Sequence, residues 1–85
     1  MNLKILYFAW VRERVGTGEE LVSPPVEVID VSRLIHWLAG RSAGHGEALG
    51  DLARLRVAID GEFVSHEAPL EGAREISIFP PVTGG

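Results

Sequence analysis

The sequence predicts a two-layer α+β domain, a mixed sheet of about five strands with one main helix packed on one face. Three observations carry that expectation. The first and last β-prone segments are strongly apolar, so both belong in the middle of a sheet. One stretch, beginning at Asp30, carries a clear helical stripe. The 85 residues allow a single domain, and one amphipathic helix can cover one face of one sheet.

Leu3 to Phe8 opens the chain with apolar residues on both parities, Leu3, Ile5 and Tyr7 against Leu6 and Phe8. Such a strand is central in a sheet covered on both sides, or covered on one and bound by a partner on the other. Ala9 to Val15 reads as a short helical turn closed by Gly16, and Glu20 to Ser23 as a weak strand ended by Pro24-Pro25. Asp30 is a good N-cap, and Val31, Leu34, Ile35 and Leu38 recur at i, i+3, i+4 and i+7, with Trp37 beside the stripe and a stop near Gly40. Glycines 40, 44, 46 and 50 mark a loose connection, with one further helical turn between Leu49 and Leu55. Arg56 to Asp60 leads into Asp60-Gly61, a hairpin signal because a type I′ turn needs positive φ at both central positions. Phe63 to Ser65 is the return strand, Pro69 to Gly72 a turn, and Glu75 to Phe79 the last strand before Pro80-Pro81. The order is that of a β-grasp domain spanning residues 1–85, with a flexible C-terminal arm from about residue 80.

Composition excludes several classes. A chain this short buries roughly 60–65% of its unfolded surface, and zero cysteine removes disulfides and thiolate metal sites. The expected location is a reducing cytoplasm. Eight basic against twelve acidic residues, with Lys4 the single lysine, argues against nucleic acid and a polybasic membrane patch. The longest apolar run, Ile5 to Val11, is far below the ~20 residues of a spanning helix.

Catalytic constellations are missing. Gly44-His45-Gly46-Glu47-Ala48-Leu49-Gly50 resembles a dinucleotide loop only loosely, since no βα junction frames it, and it reads as a flexible loop. His36 reads as a partly buried structural residue and His45 as solvated in its glycine loop; no histidine has a nucleophile or metal-ligand spacing beside it. Glu19-Glu20 and Glu71/Glu75 read as solvated positions. No metal and no tightly bound cofactor is expected.

The tail remains. Val82-Thr83-Gly84-Gly85 reaches at most about 13–14 Å beyond Pro80-Pro81, and a terminal Gly-Gly can thread a narrow channel. Phe79-Pro80-Pro81-Val82-Thr83-Gly84-Gly85 resembles the C-terminal signature of the small, sulfur-carrying subunits of molybdopterin synthases, which are ubiquitin-like. Ile5-Leu6-Tyr7-Phe8-Ala9 with Arg12-Glu13, the helix from Asp30-Val31, Ala58-Ile59-Asp60 and Pro69-Leu70 are similar to that family in order and spacing. Two departures stand out: Asp60 where the family often has Asn, and Gly72-Ala73-Arg74 where it has Asp-Gly-Asp.

The resemblance implies a non-catalytic carrier subunit. A partner enzyme would use ATP in trans to adenylate the Gly85 carboxylate, and sulfur would replace AMP to leave a thiocarboxylate, with Gly84 keeping the approach narrow. The thiocarboxylate would serve the pterin precursor in a large subunit, within a heterotetramer. The implied partner-binding residues are Phe8, Phe63 and Phe79 on the sheet face away from the helix, the arm residues Pro80, Pro81, Val82 and Thr83, and Arg12. The alternative reading places all three aromatics in the core. Two other readings share the tail: a sulfur carrier for thiamine, tRNA or cysteine synthesis, and a ubiquitin-like modifier or interaction module that transfers no sulfur.

Overall fold

The structure, a computed structural model, describes residues 1–81. The strands are β1 (Leu3–Tyr7), β2 (Glu19–Val22), β3 (Arg56–Ile59), β4 (Glu62–Val64) and β5 (Glu75–Phe79). The helices are α1 (Ala9–Val15), α2 (Val31–Ala39) and α3 (Ala43–Leu49), with a 3₁₀ turn at Leu52–Arg54. One sheet takes the order β2-β1-β5-β3-β4. The two apolar strands do lie inside it, and β1 runs parallel to β5 with Ile5 opposite Ile76 and Tyr7 opposite Ile78.

Parity decides what each strand buries. Leu3, Ile5, Tyr7, Val57, Ile76 and Ile78 are all buried on the helix side, against Val31, Leu34, Ile35 and Leu38 of α2. The stripe read from the sequence is therefore the core stripe. Asp30 caps α2 by accepting from the Arg33 N–H at 2.8 Å, a contact worth about 1 kcal/mol. Gly16 closes α1 at φ +98°, a backbone angle that glycine adopts without steric cost. The hairpin turn is also as read, with Asp60 at φ +48° and Gly61 at φ +87°.

The connection after α2 differs from expectation. Residues 43–49 form a packed helix, not a flexible glycine loop: Ser42 caps it by accepting from the His45 N–H at 3.1 Å, and Ala48 and Leu49 are buried. Gly44 is there because a Cβ would press into the Arg14 carbonyl oxygen, so its absence lets α1 and α3 cross closely. The later turn is 3₁₀ and spans only Leu52–Arg54. Among the described residues no helix is long and apolar enough to cross a membrane.

Candidate functional site

The last strand aims the chain at the candidate site. Phe79 pairs with Arg56 at the start of β3, and the chain then leaves the sheet through Pro80-Pro81. Val82, Thr83, Gly84 and Gly85 lie outside the described residues. Beside this exit, the sheet face turned away from the helices carries an aromatic pair. Phe63 and Phe79 sit with ring centroids 5.6 Å apart, and Phe63 is 82% exposed. With Arg56, Val57 and Val64 they line a shallow apolar cleft.

The register explains why these residues meet. Phe63 faces Ala58, which faces Ser77, which faces Leu6, so one row crosses four strands on the outer face. Phe79 occupies the same face two residues beyond Ser77. An exposed ring packed on a half-buried one makes a local apolar patch of the kind that marks interaction sites. Phe8 keeps the outer parity of Leu6: its backbone is extended, its N–H donates to the Ile78 carbonyl oxygen one step past the Tyr7–Ile78 pair, and it is 46% exposed while also serving as the N-cap residue of α1. Arg12 is exposed on α1, with its side chain against Gly18.

A second cluster escaped the sequence reading. Glu20 pairs with Ile5 in the antiparallel β1/β2 ladder and so shares the inner parity, at the edge of the sheet. Its Oε2 accepts from the Tyr7 hydroxyl at 2.6 Å and lies 2.7 Å from His45 Nε2, while His45 Nδ1 is 2.7 Å from Ser42 Oγ. His45 is only 9% exposed, contrary to its expected solvation, and Glu20 is likewise drawn inward. His36 deviates in the other direction and is exposed on α2.

The electrostatics follow from this geometry. Burial alone would raise the Glu20 carboxyl, but hydrogen bonds from Tyr7 and His45 and the proximity of His45 and Arg41 outweigh it and hold the carboxyl below its ordinary value. Burial first, then the Glu20 carboxylate, push the Tyr7 phenol upward, so it stays a donor. A carboxylate only accepts, so the proton between His45 and Glu20 sits on His45 Nε2, while His45 Nδ1 shares a hydrogen bond with the Ser42 hydroxyl. Ser42 is committed twice, to the ring and to the α3 N–H it caps. The cluster ties α3 to β1 and to the edge strand β2, whose inward charge also discourages edge pairing. The signal that could have found it was the parity of Glu20 relative to Val22, which needs the strand register.

Asp60 resolves the two departures noted in the sequence. Its Oδ1 accepts from the Glu75 N–H at 2.8 Å and the Arg74 N–H at 3.2 Å. The aspartate thus makes the hairpin turn and fastens the segment entering β5, where backbone donors do the pairing and the Arg74 side chain is free to differ.

Five strands in the order β2-β1-β5-β3-β4, with a parallel central pair and the helices on one face, define a ubiquitin-like β-grasp protein. The fold is shared with SAMP1 of Haloferax volcanii (TM-score 0.74, 21% identity, all of both chains). It is also shared with a solved protein–protein complex of subunits 1 and 2 of the molybdopterin-converting factor of Helicobacter pylori (TM-score 0.64, 23% identity, all of both chains). The model of the ThiS family matches residues 5–85, and the chain belongs to that family. It is 37% identical over 83 residues, 98% of this chain and 99% of the relative, to the molybdopterin synthase sulfur carrier subunit of Escherichia coli.

Proposed function

We propose that this chain carries sulfur for molybdopterin synthesis on the carboxylate of Gly85. The observation that carries the reading is the family match itself, which runs through the tail to Gly85. The 37% identical relative named a sulfur carrier subunit supports the same assignment. The geometry is compatible with it: β5 launches the chain beside an exposed aromatic cleft, so a partner can grip Phe63 and Phe79 while receiving the arm.

The chemistry is supplied in trans. A carboxylate is a poor electrophile, so an activating enzyme joins it to the α-phosphate of ATP and pyrophosphate leaves. The terminal sulfur of a donor persulfide then attacks the acyl carbon and AMP leaves. A second thiol takes the donor's sulfur from the resulting acyl disulfide, which frees the thiocarboxylate and leaves the donor oxidised to a disulfide. Pro80, Pro81, Val82 and Thr83 form the arm that holds Gly84-Gly85 inside the large subunit, where the thiocarboxylate sulfur attacks the pterin precursor. Phe8 and Arg12 lie at the same end of the fold and complete the docking surface.

Intact-mass measurement tests this after incubation with the activating enzyme, ATP and a persulfide donor. The expected result is the gain of one sulfur for one oxygen, mapped to Gly85. An unchanged mass would sink the proposal.

A further inference from the structure

Four arginines converge on the end of the sheet from which β5 leaves. Tyr7 pairs with Ile78 in the parallel ladder, so α1, which carries Arg12 and Arg14, starts beside the end of β5. β3 is antiparallel to β5 and opens with Arg56 opposite Phe79, which brings Arg56 and the preceding Arg54 to the same end. Against Glu13 and Asp51 in these segments, the four arginines give a local charge of +2. The chain as a whole carries −4, so the remainder carries −6.

Among the described residues no carboxylate lies within 4.0 Å of any of the four; ion pairs at that range involve Lys4, Arg33, Arg41 and His45 only. Each of the four arginines is instead held by something uncharged. The Arg14 and Arg54 guanidinium carbons lie 4.6 and 5.0 Å from the centroid of the same Trp10 ring, and so within about 10 Å of each other. Arg12 lies against Gly18, and Arg56 Nη1 donates to the Leu55 carbonyl oxygen at 3.0 Å. Trp37 provides the contrast: Arg41 lies 5.1 Å over it but also 3.7 Å from the Glu20 carboxylate. Cation–π stacking orders a guanidinium without cancelling its charge. Although the chain has twelve acidic residues, the like-charged pair on Trp10 has no ion-pair partner among the described residues and is pre-ordered.

We propose that Trp10, Arg14 and Arg54, flanked by Arg12 and Arg56, form a basic collar around the chain exit that docks an acidic protein surface. The collar stands on the structure; the identity of its partner as the large synthase subunit rests on the carrier reading above. A protein is favoured over a nucleic acid because the chain's −6 remainder repels a continuous polyanion, whereas a local carboxylate cluster meets only the collar. Ordered guanidinium forks match carboxylates in two-point geometry. Such a collar acts mainly on encounter, orienting the arm before the aromatic cleft engages.

Two measurements test it. In the first, the full chain is titrated with an oligoglutamate peptide while the two indole N–H signals are followed by NMR. The Trp10 signal should move and the Trp37 signal should not; equal or absent shifts overturn the collar. In the second, association with the purified large subunit is timed for the wild type and for Arg14→Glu with Arg54→Glu. The association rate should fall about tenfold or more in the variant while dissociation changes less than about twofold. The wild-type rate should also drop between about 0.01 and 0.1 M salt, as the screening length shortens from ~30 to ~10 Å. Equal, salt-independent rates overturn the collar and leave the carrier reading intact. If the wild type fails to bind the large subunit at all, the carrier reading loses its partner and the indole shifts decide the collar alone.

Discussion

Replacing Glu20 by Ala removes one carboxylate that serves two buried donors. Tyr7 is 1% exposed and His45 is 9% exposed, so neither recovers water when the carboxylate goes. Hydrogen bonds to a charged group contribute about 1.5–3 kcal/mol each, and the two here share one oxygen, so we expect a loss of about 3 kcal/mol. For a domain of this size that lowers Tm by about 12–24 °C. Glu19 is the built-in control: it is the adjacent glutamate, its carboxylate is 63% exposed, and its partner Lys4 is 3.5 Å away at the surface. Glu19→Ala should cost no more than about 1 kcal/mol. Thermal and urea denaturation of the two variants decide the matter, and costs within about 0.5 kcal/mol of each other would refute the buried-cluster argument. Adding Tyr7→Phe to Glu20→Ala should restore part of the loss, because the orphaned hydroxyl disappears. The pH dependence has a fixed sign. Glu20 is held below its ordinary value of 4.5, so its stabilisation is present above that value and is lost as pH falls through the folded value. The gap in Tm between wild type and Glu20→Ala should therefore narrow on acidification.

Three further outcomes are expected. Asp60→Ala should cost about 2 kcal/mol in urea denaturation, since it loses two backbone contacts and leaves alanine at φ +48°, whereas Asp60→Asn should cost under about 0.5 kcal/mol. Gly44→Ala should lower Tm by the equivalent of about 1–2 kcal/mol, because overpacking against the Arg14 backbone exceeds the gain in helix propensity. Gly40→Ala, whose Cβ would make an ordinary 3.6 Å contact, should be neutral by the same scan. Phe63→Ala should leave stability within about 0.5 kcal/mol yet weaken binding to the large subunit at least about tenfold in calorimetry.

The stripe of α2, the Asp60-Gly61 turn and the central place of β1 and β5 were legible because each depends on local periodicity or on one residue's backbone freedom. The same local logic failed between residues 40 and 50. Glycine there signals flexibility in isolation, but Gly44 is a contact residue at a helix crossing, and a crossing partner 30 residues away leaves no mark on local pattern. Glu20 and His45 failed for a related reason: each looks solvated among its sequence neighbours, and only the ladder of β2 on β1 turns Glu20 inward to meet α3.

What the sequence alone determined, then, is the five strands with α1 and α2, the core stripe and the tail motif that carries the family assignment, all written in neighbours along the chain. The tertiary structure decided which polar residues are buried, which aromatics face outward together, and which arginines gather at the exit of β5. Those properties depend on strand register and chain crossings, which bring together residues as distant as Trp10 and Arg54.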